Sequence, residues 1–186
     1  MHLVEAYKSL GLIGIALTVI GLVFLVLKWP QGRHMTFSQH AAAQQVSIFY
    51  YILLMCSIAP FYVLFFFWWL VPTFSLSFWF SIFVLTSMFF QLLCTLVPEL
   101  PGWKYTAHRF FAFISAFLLM PTLAVIVLSS QVSEIARIIS LCMILIMFSI
   151  MGFFYAIKVK HKYLLLFQLS YFVCFFVAIL STTYLR

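Results

Sequence analysis

Long apolar runs alternate with short polar breaks along this chain, and each run has the length of a bilayer crossing. A hydrocarbon core about 30 Å thick takes about 20 apolar residues in a helix. Six runs meet that measure: 9–27, 47–71, 74–97, 110–129, 138–157 and 163–185. No ten-residue stretch alternates apolar with polar positions, which argues against a barrel. Trp29-Pro30, Pro72 and the Pro98, Pro101 and Gly102 cluster stand where helices are expected to stop. Pro60 and Pro121 fall inside runs, where a missing backbone donor predicts a kink. The expected fold is all-α: one domain, residues 1–186, built as a six-helix transmembrane bundle.

Run one reads as a retained span, because Lys28-Trp29-Pro30 follows it without a small-residue cleavage site. Its Gly11, Gly14, Thr18 and Gly21 recur at helical spacing, a face on which a neighbour can approach closely.

Composition agrees with the pattern. Of 186 residues 67% are hydrophobic and 7% charged, with a mean hydropathy of +1.21, whereas a water-soluble domain carries about a quarter charged residues. The cysteines, Cys56, Cys94, Cys142 and Cys174, lie inside runs without CxxC spacing and read as small buried hydrophobes. Trp29, Trp68, Trp69 and Trp103 sit near run ends, where interfacial aromatics are expected.

Charge sets the expected orientation. Lys28, Arg33, Lys104, Arg109, Lys158, Lys160 and Lys162 fall on the side of the first, third and fifth loops; Lys8, Arg137 and Arg186 fall on the other. Cytoplasmic loops are enriched in Lys and Arg, so the odd loops are expected in the cytoplasm and both termini outside, in a prokaryotic plasma membrane. Anionic head groups then account for the net charge of +7, and nucleic acid is not an expected partner.

Polar chemistry concentrates on that same side. His34, His40, His108 and His161 belong to it, as does Glu99, one of three acidic residues. Gln91 and Gln168 read as midspan groups that glue helices. Thr36 followed by Gln39 has capping-box spacing, which predicts a helix continuing into span two, with His40 and Gln44 one turn apart on one face. Thr106 is expected to cap span four and to place His108 and Arg109 in its first turn.

Six spans, the TFSQHAA stretch at 36–42 and the Pro98 to Arg109 stretch with its Gly102-Trp103 together resemble the domain-of-unknown-function 998 family of prokaryotic membrane proteins, and more distantly the DRAM-type clan. That resemblance implies a six-helix bundle with polar loops on one face, and brings no activity. The family's position before the first-loop histidine is often acidic; Gln39 here weakens any carboxylate-dependent metal site.

Three functions fit these residues. In the plainest, His40, Glu99, His108 and Arg109 form a structural polar network in a non-enzymatic scaffold, accessory subunit or lipid-interacting protein, with membrane lipids, a membrane protein or a second copy as partner. In the second, Arg109, Lys104 and the start of span four hold an anionic group, with Gln44 and Trp103 in support. In the third, His40 and His108 ligate haem or a transition metal, although no HExxH, CxxC or CxxCH occurs; the other two need no cofactor. A Ser-His-Asp hydrolase is excluded, since all three acidic residues are glutamates.

Overall fold

A computed structural model describes residues 2–32, 35–156 and 163–185. Arg33, His34, Lys158, Lys160, His161, Lys162 and Arg186, all used in the charge and histidine counts, lie outside the described residues. The chain is all-α, and six helices are long and apolar enough to cross a membrane. They are α1 (His2–Lys28); α3 (Gln45–Phe65) continued through a wide turn (Phe66–Leu70) into α4 (Val71–Phe74); α5 (Phe78–Leu96); α6 (Trp103–Leu128); α7 (Glu134–Ala156); and α8 (Leu164–Tyr184). A short α2 (Phe37–Ala41) lies in the first loop. At 1.5 Å per residue even the 19-residue α5 covers about 28 Å.

Neighbours in sequence pack as neighbours in space: α1 on α3, α5 on α6, α6 on α7 and α7 on α8. Span three contacts span two, and α8 closes the bundle by touching both α6 and α1. The small-residue face of α1 meets α3 as expected. Thr18 Oγ1 lies 2.9 Å from Tyr62 Oη, and a Cβ built on Gly11 would stand 2.5 Å from the Phe65 ring.

Toward loops two and four the core is apolar and aromatic: Phe65, Trp69, Leu70, Phe80, Leu123, Ile126 and Met147 are essentially sealed. Trp69, expected at an interface, is 1% exposed there, while Trp68 beside it is 62% exposed. The Lys8 ammonium lies 4.7 Å from the Tyr184 ring centroid and 5.8 Å from that of Trp69, tying spans one, two and six together. Toward loops one and three a smaller apolar cluster of Leu22, Leu25, Phe37, Ala41 and Tyr51 lies beside buried Ser38, His40, Ser47, Thr95 and His108.

Several local expectations are corrected. Pro72 does not end its helix, because the Phe66–Leu70 turn is π-helical and Val71 donates to the Phe66 carbonyl. Widening the turn before the ring accommodates a residue that clashes with the carbonyl four positions back. The helix stops instead at Ser75, in left-handed conformation at φ 46°. Pro60 and Pro121 lie inside their helices, as expected. Cys94 and Cys174 are buried, but Cys56 and Cys142 face outward.

Candidate functional site

The end formed by loops one and three is organised by Glu99. The chain leaves α5 at Val97, passes Pro98 and Pro101, and turns into α6 at Gly102, whose φ of 89° favours glycine. Span four therefore starts at Trp103, not near Phe110, and Gly102 rather than Thr106 stands at its N-cap. His108 and Arg109 consequently sit in the second turn of α6, about 100° apart around it: His108 is buried and Arg109 exposed.

Loop one supplies the partners of Glu99. Thr36 caps α2 with the full capping box: its Oγ1 accepts from Gln39 N, and its own N–H donates to Gln39 Oε1 at 2.9 Å. This box leaves three donors aimed at the carboxylate. Thr36 Oγ1 (3.0 Å) and Ser38 Oγ (2.9 Å) donate to Oε2, and Gln39 Nε2 (3.3 Å) donates to Oε1. The Glu99 side chain is 6% exposed, so these bonds stand in for water. Phe37 N–H donates to Gln168 Oε1 at 3.0 Å and joins loop one to α8. Gln168 is thus near the start of α8, and not midspan.

The box does not extend into span two. α2 ends after five residues, and Gln44 is an extended N-cap (φ −149°, ψ 158°) of the separate α3. The buried Ser47 hydroxyl organises the break: it accepts from Gln44 N–H (2.9 Å) and lies 2.8 Å from Ala41 O and 2.7 Å from Gln44 O. Gln44 is therefore not on a common helix face with His40.

His40 and His108 are both buried but serve different neighbours. His40 Nδ1 lies 2.9 Å from Trp29 O and 3.2 Å from Gln31 N, pinning the chain that leaves α1, and its Nε2 is buried without a partner among the described residues. His108 Nδ1 donates to Val97 O at 2.6 Å, capping the end of α5. In the neutral ring Nε2 is then the acceptor, and the Cys94 thiol sits 3.3 Å from it. Glu99 Oε2 is 3.9 Å from the same nitrogen. His108 lines a small cavity with Ser38, Tyr51, Cys94 and Thr95, and His40 does not line it. Span three contacts both span two and span four. Each ring thus serves the end of a different helix, His40 that of α1 and His108 that of α5, and among the described residues no three His, Cys, Asp or Glu side chains form a metal-ligand group.

Cys94 begins a polar seam between α5 and α6 that the sequence reading missed. Cys94 and His108 stand seven residues either side of Pro101, and Ser87 and Ser115 stand fourteen either side. Ser87 Oγ donates to Ser115 O at 2.9 Å, and Ser115 Oγ to Gln91 Oε1 at 3.4 Å. Gln91 Nε2 reaches Tyr51 Oη at 3.5 Å. Gln91 is thus in the last turns of α5, joining three spans, rather than at midspan. The signal was present in part: polar residues a heptad apart share one face of each helix, at equal distances from the Pro101-Gly102 turn.

Arg109, expected beside Glu99, is elsewhere. Its Nη1 donates to Tyr105 Oη at 2.7 Å, and the guanidinium lies 5.1 Å over the same ring, on the outer face of α6. Trp103 is 71% exposed at the start of that helix, with Lys104 half-buried beside it. Two groups result: an inward latch (Thr36, Ser38, Gln39, Glu99, Cys94, His108) and an outward basic and aromatic rim (Trp103, Lys104, Tyr105, Arg109). No family model matches this chain, and no curated protein or solved structure matches it either.

Proposed function

We propose that this chain is a non-enzymatic, lipid-interacting membrane protein of a prokaryotic plasma membrane, with loops one and three in the cytoplasm and the rim on α6 seated among anionic head groups. The observation that carries this reading is the separation of Glu99 from Arg109. The carboxylate is occupied by three loop-one donors, so the guanidinium keeps its charge for an outside partner. Arginine meets phosphate with paired donors, and an exposed tryptophan beside it favours the head-group layer.

Native mass spectrometry of protein released from mixed neutral and anionic bilayers tests the reading. Arg109→Gln with Lys104→Gln is expected to lower retained anionic lipid several-fold, with neutral lipid unchanged. Equal retention of anionic lipid by the variant refutes it.

A further inference from the structure

The end of the bundle away from Glu99 carries a groove of about 540 Å³ between the start of α5 and the end of α6. That volume lies within the range of small-molecule sites, about 300–1,000 Å³. Its walls change character with depth. The mouth is formed by the two short connections around Ser75 and Ser77 and around Ser129, Ser130 and Gln131. Its floor is Phe83, Pro121, Ala124 and Val125, with no charged side chain anywhere in the lining. Pro121 lies seven residues before the end of α6, so the floor reaches about 10 Å below the helix end at 1.5 Å per residue. That depth lies well inside a hydrocarbon half-thickness of about 15 Å.

The mouth offers free hydroxyls. Ser77 occupies the N-cap of α5, yet its side chain makes no capping bond. Ser129 Oγ is engaged, donating to Phe74 O at 3.1 Å and so holding the two connections together. Trp79, 60% exposed, stands at one edge at the depth of an interfacial aromatic.

We infer that this groove seats one membrane lipid with an uncharged, hydroxyl-bearing head, its glycerol or sugar hydroxyls on Ser77, Ser130 and Gln131 and one acyl chain along Phe83, Pro121 and Val125. The polar-to-apolar gradient runs along the membrane normal, as a single lipid's own gradient does. A phosphate head finds no cation here, and leaving its charge unpaired against neutral walls is unfavourable. The basic rim is on the other side of the membrane, so the two surfaces select different lipids in different leaflets.

Photo-crosslinking with a diazirine-bearing monoacylglycerol in neutral vesicles, followed by peptide mapping, tests the site. Label is expected on Trp79, Phe83 or Val125, reduced several-fold by Ala124→Leu, which fills the floor, and by Ser77→Ala with Ser130→Ala, which removes hydroxyls without touching the core. Excess unlabelled monoacylglycerol should compete, and a phosphatidic acid of the same chain should not. Label spread evenly over the outward faces of α5 and α6 overturns the proposal, as does equal competition by both lipids. Either result leaves the anionic-lipid reading standing, because Lys104 and Arg109 take no part in this experiment.

Discussion

Replacing Glu99 by Gln isolates the latch, since the side chain keeps its size and loses its charge. A hydrogen bond to a charged group contributes about 1.5–3 kcal/mol, against about 0.5–1.5 for a neutral one. The difference is about 1 kcal/mol per bond, or about 3 for the three donors from Thr36, Ser38 and Gln39. An amide can still accept at one oxygen, and water is near at the interface, so about 2 kcal/mol is the expected loss. At 1.4 kcal/mol per decade, that is about 30-fold in the opening equilibrium of loop one. Hydrogen exchange by mass spectrometry on peptides covering 36–44, in detergent or nanodiscs, reads this directly: exchange should accelerate about 30-fold, while peptides from α7 stay unchanged. Arg109→Gln, as the control, should leave loop one untouched. Exchange within twofold of the parent in Glu99→Gln would show that the carboxylate does not hold loop one.

Other consequences follow from packing and access. Gly11→Ala should destabilise by about 1–3 kcal/mol, since the new Cβ falls 2.5 Å from the sealed Phe65 ring; Gly14→Ala, with its nearest contacts at 3.4 Å, should be neutral or stabilising by up to about 1 kcal/mol. Thermal unfolding in detergent ranks the pair, and the reverse order contradicts the α1–α3 packing. A double-mutant cycle of Thr18→Val and Tyr62→Phe should give a coupling of about 0.6 kcal/mol, typical of hydrogen bonds between spans; zero coupling denies the 2.9 Å contact. Maleimide labelling in detergent should reach Cys56 and Cys142 first and spare Cys94 and Cys174 until denaturant is added, read by peptide mapping.

The spans were legible because hydrocarbon imposes a length on every crossing helix and a polarity on nearly every residue in it. Their ends were less so. α6 starts at Trp103, seven residues ahead of the apolar run, because a helix continues past the hydrocarbon wherever its residues tolerate the conformation, and Lys104 and Arg109 do. Pro72 misled for a related reason: its ring conflicts with an α turn, but a π turn upstream absorbs the conflict, and nothing in the local sequence announces that solution. The capping box at Thr36 was legible as local chemistry, since both of its bonds lie within four residues. What it would hold was not, because Glu99 lies 63 residues from Thr36 and the pairing depends on how loops one and three meet.

That pairing decides what the surface presents. Paired with Arg109, Glu99 would have neutralised the guanidinium, and the exposed start of α6 would have carried only Lys104 as an unpaired charge. Loop one prevents this by offering hydroxyls and an amide, which satisfy a carboxylate without bringing a countercharge. The acid is drawn inward, His108 turns to cap the end of α5, and Arg109 is left on the outer face with a tyrosine as its neighbour. Burying Glu99 among neutral donors therefore has two results at once: it fastens loop one to loop three, and it leaves the positive charges on the outer face of α6 without that carboxylate as a partner.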